Sequence, residues 1–137
     1  MALITLGLGL AFQAQAFDKT QVNLQKDFWG SWTIYNAQTK CSETYQFTQP
    51  NKFKYTSGKK QMEGQFGVYR DSSKPDTLDV LAMKVAKDNK QPSCSAPAHD
   101  YKDANLNLPL KWISARTALL CKDVQGAQCT TLYLIKQ

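Results

Sequence analysis

The chain has 137 residues, of which 42% are hydrophobic, 11% aromatic and 20% charged, and Lys+Arg 17 against Asp+Glu 11 leaves a formal net charge of +6. That length holds one domain. The apolar fraction is too high for a disordered chain, and 7 Gly with 5 Pro exclude the collagen-like and low-complexity classes.

From Ala2 to Phe12 the residues are apolar apart from Thr5, and Gln13-Ala14-Gln15-Ala16 follows. A short hydrophobic stretch before an A-x-A step is the pattern of a secretory signal peptide, and it falls short of the roughly 20 apolar residues of a membrane-spanning helix. Residues 1–16 are therefore expected to be a signal peptide cleaved after Ala16. Residues 17–137 are expected to form a single exported domain, periplasmic or secreted.

Residues 18–27 are polar except for Val22 and Leu24, a pattern open to one helical turn or an extended segment. Beyond them the period changes to two, the signature of half-buried strands. Trp32 and Ile34 share one face of 31–35. Over 41–49, Cys41, Glu43, Tyr45 and Phe47 oppose Thr44 and Gln46. Over 52–55 both lysines lie on one face and Phe53 and Tyr55 on the other. Gln49-Pro50-Asn51 and Ser57-Gly58-Lys59 read as turns. Met62, Gly64, Phe66 and Val68 then align, 71–76 reads as a loop, and 77–85 is the most continuous apolar strand. Residues 91–109, with Pro92, Pro97 and Pro109, are expected to be a covering flap or functional loop holding at most a short strand near 106–108. The stretches 110–121 and 129–135 complete the set.

Seven clear strands and one doubtful one, spaced roughly every 8–15 residues with short turns, make an antiparallel meander. Closure into a barrel is the simplest way for such a meander to avoid exposed edges. The expected fold is all-β: an antiparallel up-and-down β-barrel of seven to eight strands, with a two-sheet sandwich as the alternative.

In an oxidising compartment Cys41, Cys94, Cys121 and Cys129 read as two disulfides. Three connectivities exist. Cys121 and Cys129 flank a polar turn between two apolar runs, which favours their pairing and leaves Cys41 with Cys94. Metal binding is not expected, because no C-x-x-C spacing occurs and there is a single histidine.

Phe28-Trp29-Gly30-Ser31-Trp32 opens the first strand, and Gly30-x-Trp32 after a short polar segment resembles the first signature of the lipocalin-like barrels. That resemblance implies that Trp32 closes the base of the barrel and that Gly30 lets the entering chain bend. Two further family signatures map onto His99-Asp100-Tyr101, which lacks the family's Thr, and onto Lys136, where the family prefers Arg. The chain is also similar to the small periplasmic inhibitors of metalloproteases built on the same barrel. In those, the segment before the first strand enters the protease cleft, and 17–26 is its equivalent here.

Catalysis is not expected. His99 would have to serve any Ser-His-Asp or Cys-His arrangement, and it stands in the Pro-rich loop with no G-x-S-x-G elbow anywhere in the sequence. No cofactor fingerprint is present. The glutamates are Glu43 and Glu63. Glu43 either points into the barrel, where a carboxylate suits a cationic ligand, or is solvated on a mis-faced strand. The positive charge is mostly lysine, with Arg70 and Arg116 the only arginines. Lys52, Lys54, Lys59 and Lys60 cluster on one expected hairpin, and Lys84, Lys87 and Lys90 on another. Specific nucleic-acid recognition is not expected, because it favours Arg and exposed stacking aromatics. The lysines read as solvated strand faces or as a site for an anionic surface.

The function expected first is a non-enzymatic binding protein holding a small apolar ligand, lined by Trp32, Tyr45, Phe47, Phe53, Tyr55 and Phe66. The same residues serve equally to fill a closed core. The alternative is a protein inhibitor of a protease or lysozyme.

Overall fold

A computed structural model describes residues 17–137. The signal-peptide reading of residues 1–16 lies outside the described residues. After a one-turn 3-10 helix (Lys19–Gln21) come eight strands: β1 (Gly30–Asn36), β2 (Cys41–Thr48), β3 (Lys52–Ser57), β4 (Lys60–Tyr69), β5 (Asp79–Asp88), β6 (Asn105–Ser114), β7 (Thr117–Cys121) and β8 (Cys129–Lys136). Each pairs antiparallel with the next. β8 returns to β1 through Trp32–Lys136, Thr33–Ile135 and Ile34–Leu134, so the sheet is a closed up-and-down barrel. Among the described residues no helix is long and apolar enough to cross a membrane.

The period-two pattern of the sequence becomes the inside and outside of this barrel. In β3, Phe53, Tyr55 and Ser57 are buried while Lys52, Lys54 and Thr56 are exposed. In β5, Asp79, Leu81, Met83 and Val85 point inward. Two expectations change. The apolar stretch 110–121 is a hairpin rather than one strand: the chain reverses at Ser114-Ala115-Arg116, where the Arg116 amide donates to Ser114 Oγ at 3.1 Å. This turn uses neither Gly nor Pro, and its only mark in the sequence is the short polar step Ser114, Arg116 and Thr117. The doubtful strand near 106–108 is the first half of β6, which runs straight through buried Pro109. Pairing with β7 begins only at Leu110, so the proline ring meets no ladder on that side. The loop carrying His99-Asp100-Tyr101 therefore precedes β6, with β7 and β8 still to follow.

One end of the barrel is plugged. Phe28, fully buried, lies 5.2 Å from the Trp32 ring, 4.8 Å from Phe47, 5.9 Å from Phe66 and 6.3 Å from Trp112 between ring centroids. Trp32 Nε1 donates to the Phe28 carbonyl at 2.8 Å. Lys136 Nζ donates to the Asp27 carbonyl at 2.6 Å and stands 5.9 Å from the Trp32 ring, a cation over the face of the aromatic that closes the base. Gly30 has φ +115°, a conformation that a side chain would strain, and it makes the bend that brings Phe28 back under the barrel.

The N-terminal segment is bound to its own barrel. Asp18 caps the 3-10 turn, Val22 is fully buried, and Lys19 Nζ donates to the Thr77 carbonyl at 2.7 Å. Arg70 is the central fastener. Its Nη1 and Nη2 donate to the carbonyls of Val22 (3.1 Å) and Lys19 (2.6 Å), while Nε and Nη2 grip the carboxylate of Asp79 at 3.0 and 2.8 Å. Asp79 is completely buried and also accepts from Trp112 Nε1 at 2.9 Å. The segment 17–26 is therefore docked along its length, not presented as a free arm.

Removing one partner of a buried ion pair strands the other. Asp79→Ala is expected to cost about 3 kcal/mol, because it leaves the Arg70 fork and the Trp112 N–H without their acceptor. The check is urea unfolding followed by Trp fluorescence, where the midpoint falls with the slope preserved.

Candidate functional site

The other end of the barrel carries one of the two disulfides, Cys41–Cys94; the β7–β8 hairpin that holds the other packs against Leu78, whose amide donates to the Val124 carbonyl at 2.7 Å. Cys41 at the start of β2 is bonded to Cys94 in the loop 89–104, with Cα atoms 5.5 Å apart, and Cys121 at the end of β7 is bonded to Cys129 at the start of β8. These are the pairings favoured from the sequence. The first pins the loop 89–104 across the barrel mouth as a roof. Ser57 reinforces it from the end of β3, its Oγ accepting the Cys94 amide at 3.3 Å.

A buried ion pair holds the far end of the roof. Lys60 Nζ lies 2.7 and 2.9 Å from the two carboxylate oxygens of Asp88 and donates to the His99 carbonyl at 2.9 Å. It also sits 5.1 Å from the Tyr101 ring centroid. Asp88 accepts the amides of Tyr101 at 2.7 Å and Lys90 at 2.9 Å. Burial alone would push the Asp88 carboxyl up. The hydrogen bonds from Lys60 and the two amides, with the Lys60 charge, outweigh it and hold the group below its ordinary value of 3.8. Lys60 is thus not part of the solvated basic hairpin. It is 2% exposed, and only Lys52, Lys54 and Lys59 of that group face solvent.

Between roof and core lies a half-open cavity of about 210 Å³. Its floor is Tyr45, Met62, Met83, Leu106 and Leu108; its walls include Glu43, Tyr55 and Lys60; the roof contributes Ser93, Ser95, Ala96 and Tyr101. Glu43 does point inward. Its Oε1 accepts the Tyr55 hydroxyl and, at 3.3 Å, the Ser95 hydroxyl. The rings of Tyr45 and Tyr55 lie 4.9 Å apart. Burial first, and the nearby Glu43 carboxylate second, raise both phenols well above the ordinary tyrosine value of 10.0, so both stay uncharged.

No family model, curated protein or solved structure matches the chain. The site is read from its own geometry, on a closed eight-stranded barrel compatible with a lipocalin-like one.

Of the six residues expected to line a ligand, the cavity takes in Tyr45 and Tyr55. Trp32, Phe47 and Phe66 form the aromatic shell around Phe28, and Phe53 is buried in the same core. His99 is exposed, its ring 4.5 Å from that of Tyr101, and among the described residues no three His, Cys, Asp or Glu side chains cluster to hold a metal.

Sequence reasoning missed Lys60 and Asp88. Extending the Met62-Gly64-Phe66-Val68 face backward by one step reaches Lys60, so its inward orientation was available from alternation. Asp88 was not. Glu63 pairs with Lys87 but Gly64 with Val85, so Ala86 is an extra residue that reverses the phase of β5. Gly64 permits this close approach: a Cβ there would overlap the Lys84 carbonyl oxygen.

Because the folded pKa of Asp88 is depressed, its contribution is fully present above the ordinary carboxylate value and is lost as pH falls through the lower, folded one. The protection factor of the Tyr101 amide is expected to hold from neutral pH down to about 4 and to collapse below it. Asp88→Asn should show reduced protection at neutral pH and no acid step. Hydrogen exchange followed by NMR checks both.

Proposed function

We propose that the chain is a non-enzymatic binding protein of the lipocalin-like type, working in the periplasm or outside the cell, and that it holds one small, largely apolar molecule at the barrel mouth. The observation that carries this reading is the roofed cavity of about 210 Å³ above a plugged base. A barrel whose interior served only as a core would be filled at both ends. Here aromatic packing stops at Tyr45 and Tyr55, and a loop cross-linked to β2 covers the remaining space. Two disulfides in a small domain suit an oxidising compartment.

The size of the space narrows the ligand. Drug-sized molecules occupy pockets of about 300–1,000 Å³. A space of about 210 Å³ suits something smaller and is too small to bury a long acyl chain. The apolar floor supplies the burial, and the few polar groups at wall and roof fix orientation.

A neutral aromatic probe, 2-phenylethanol, is expected to shift the NMR resonances of Tyr45, Met83 and Leu108, while hexadecanoate leaves them in place. Leu108→Trp, which fills the floor, should abolish the shifts with the fold intact. A spectrum unmoved by saturating 2-phenylethanol would sink this reading.

A further inference from the structure

The ion chemistry of the cavity is unbalanced. Two charged side chains reach it, Lys60 and Glu43. An ammonium has three N–H donors. Those of Lys60 are matched by the two Asp88 carboxylate oxygens and the His99 carbonyl, so its charge is neutralised and no donor remains for a ligand. Glu43 differs. Both its hydrogen bonds from the protein go to Oε1, they come from neutral hydroxyls, and among the described residues no cation pairs with it. Oε2 has no protein hydrogen-bond donor among the described residues. The cavity therefore carries an uncompensated negative charge at its wall.

A second observation points the same way. Tyr45 is 7% exposed, lines the cavity, and its hydroxyl has no hydrogen-bond partner among the described residues. The Tyr45 ring is buried while its hydroxyl opens onto the cavity, free to bond a ligand. The Tyr45 hydroxyl oxygen can accept from an N–H, and the faces of Tyr45 and Tyr55 are electron-rich surfaces that attract a cation. Below them the floor turns apolar, with Met62, Met83, Leu106 and Leu108.

We infer that the mouth cavity binds a small primary amine with an apolar or aromatic body, its ammonium paired with Glu43 Oε2 and the Tyr45 hydroxyl and its body on the Met83–Leu108 floor. This rests on the reading of the cavity as a ligand site and specifies what enters it. Glu43 selects by charge. A carboxylate ligand meets repulsion from Glu43 and finds the Lys60 donors already used, and a neutral analogue loses the charge-assisted hydrogen bond. Tyr55 and Ser95 act as positioning residues that fix the carboxylate from the Oε1 side and leave Oε2 turned to the ligand.

Three probes of one shape separate the possibilities: 2-phenylethylamine, 2-phenylethanol and 3-phenylpropionate, titrated near neutral pH into residues 17–137 with disulfides intact and followed by NMR at the cavity residues. The amine is expected to bind at least about tenfold more tightly than the alcohol, the scale of one hydrogen bond to a charged group, and the carboxylate least. Glu43→Gln should bring the amine to the level of the alcohol while alcohol binding persists, which also reports that the pocket is still formed. If the wild-type protein binds amine and alcohol equally, or prefers the carboxylate, the amine assignment is overturned and the ligand-site reading stands. If Glu43→Gln keeps alcohol binding and also keeps the amine preference, the assignment to Glu43 is overturned. If no probe moves a cavity resonance, the ligand-site reading and this inference fail together. The wild-type ranking decides the amine question even where the variant is unstable.

Discussion

Everything at the mouth of this barrel depends on what happens at its base. Phe28 enters from below and is gripped by Trp32, Phe47, Phe66 and Trp112. An eight-stranded barrel has an interior just wide enough to be filled by side chains or to hold one small molecule. With these five rings and Phe53 committed to the lower half, the barrel strands offer Tyr45 and Tyr55 above them, and space is left beneath the roof. The cavity is thus the complement of the plug. Its depth is set by how far up the aromatic stack reaches.

Two buried ion pairs, one at each end, attach the segments that are not strands. At the base, Arg70 and Asp79 hold the N-terminal segment through the carbonyls of Lys19 and Val22. At the mouth, Lys60 and Asp88 hold the roof through the His99 carbonyl and the amides of Tyr101 and Lys90. Each pair draws its cation from an end of β4 and its carboxylate from an end of β5. The same two neighbouring strands therefore fasten both closures, and each carboxylate's lone pairs are satisfied by several donors, which is what a desolvated charge requires.

The fold was legible because period-two alternation is a backbone property that composition cannot hide. Lys52-Phe53-Lys54-Tyr55 can be buried on one face only, and the structure places it so. Legibility fails where the backbone departs from that period. The bulge at Ala86 turns Asp88 inward out of phase, and the turn at Ser114 reverses the chain on a serine hydroxyl, a weaker signal than Gly or Pro. At the site, Tyr45, Tyr55 and Glu43 were visible on the inward face of their strands. The roof was legible as a covering flap and through the favoured Cys41–Cys94 pairing; which of its residues reach the cavity was not, since Tyr101 is set by the Lys60–Asp88 ion pair, which no local pattern encodes. Nor does a strand pattern say which inward aromatics pack solid and which border a void; that follows from Phe28, which belongs to no strand.

The Cys41–Cys94 bond also divides the molecule into covalent rings. It encloses β2, β3, β4 and β5 in a single closed loop of chain, while Cys121–Cys129 closes a second, small one on the β7–β8 hairpin. β1 and β6 lie outside both, and β7 and β8 join the small ring only through their terminal cysteines. The roof crosses from β5 to β6, so it leaves the large ring at Cys94 and is tied back to β2 on the way. It cannot lift as a unit. The longer arm, 95–104, lies between that covalent tie and the Lys60–Asp88 pair, which holds His99 and Tyr101. That arm carries Ser95, Ala96 and Tyr101, three of the four roof residues that border the cavity. The ceiling of the cavity is thereby anchored at both ends, once by a covalent bond and once by a buried charge pair.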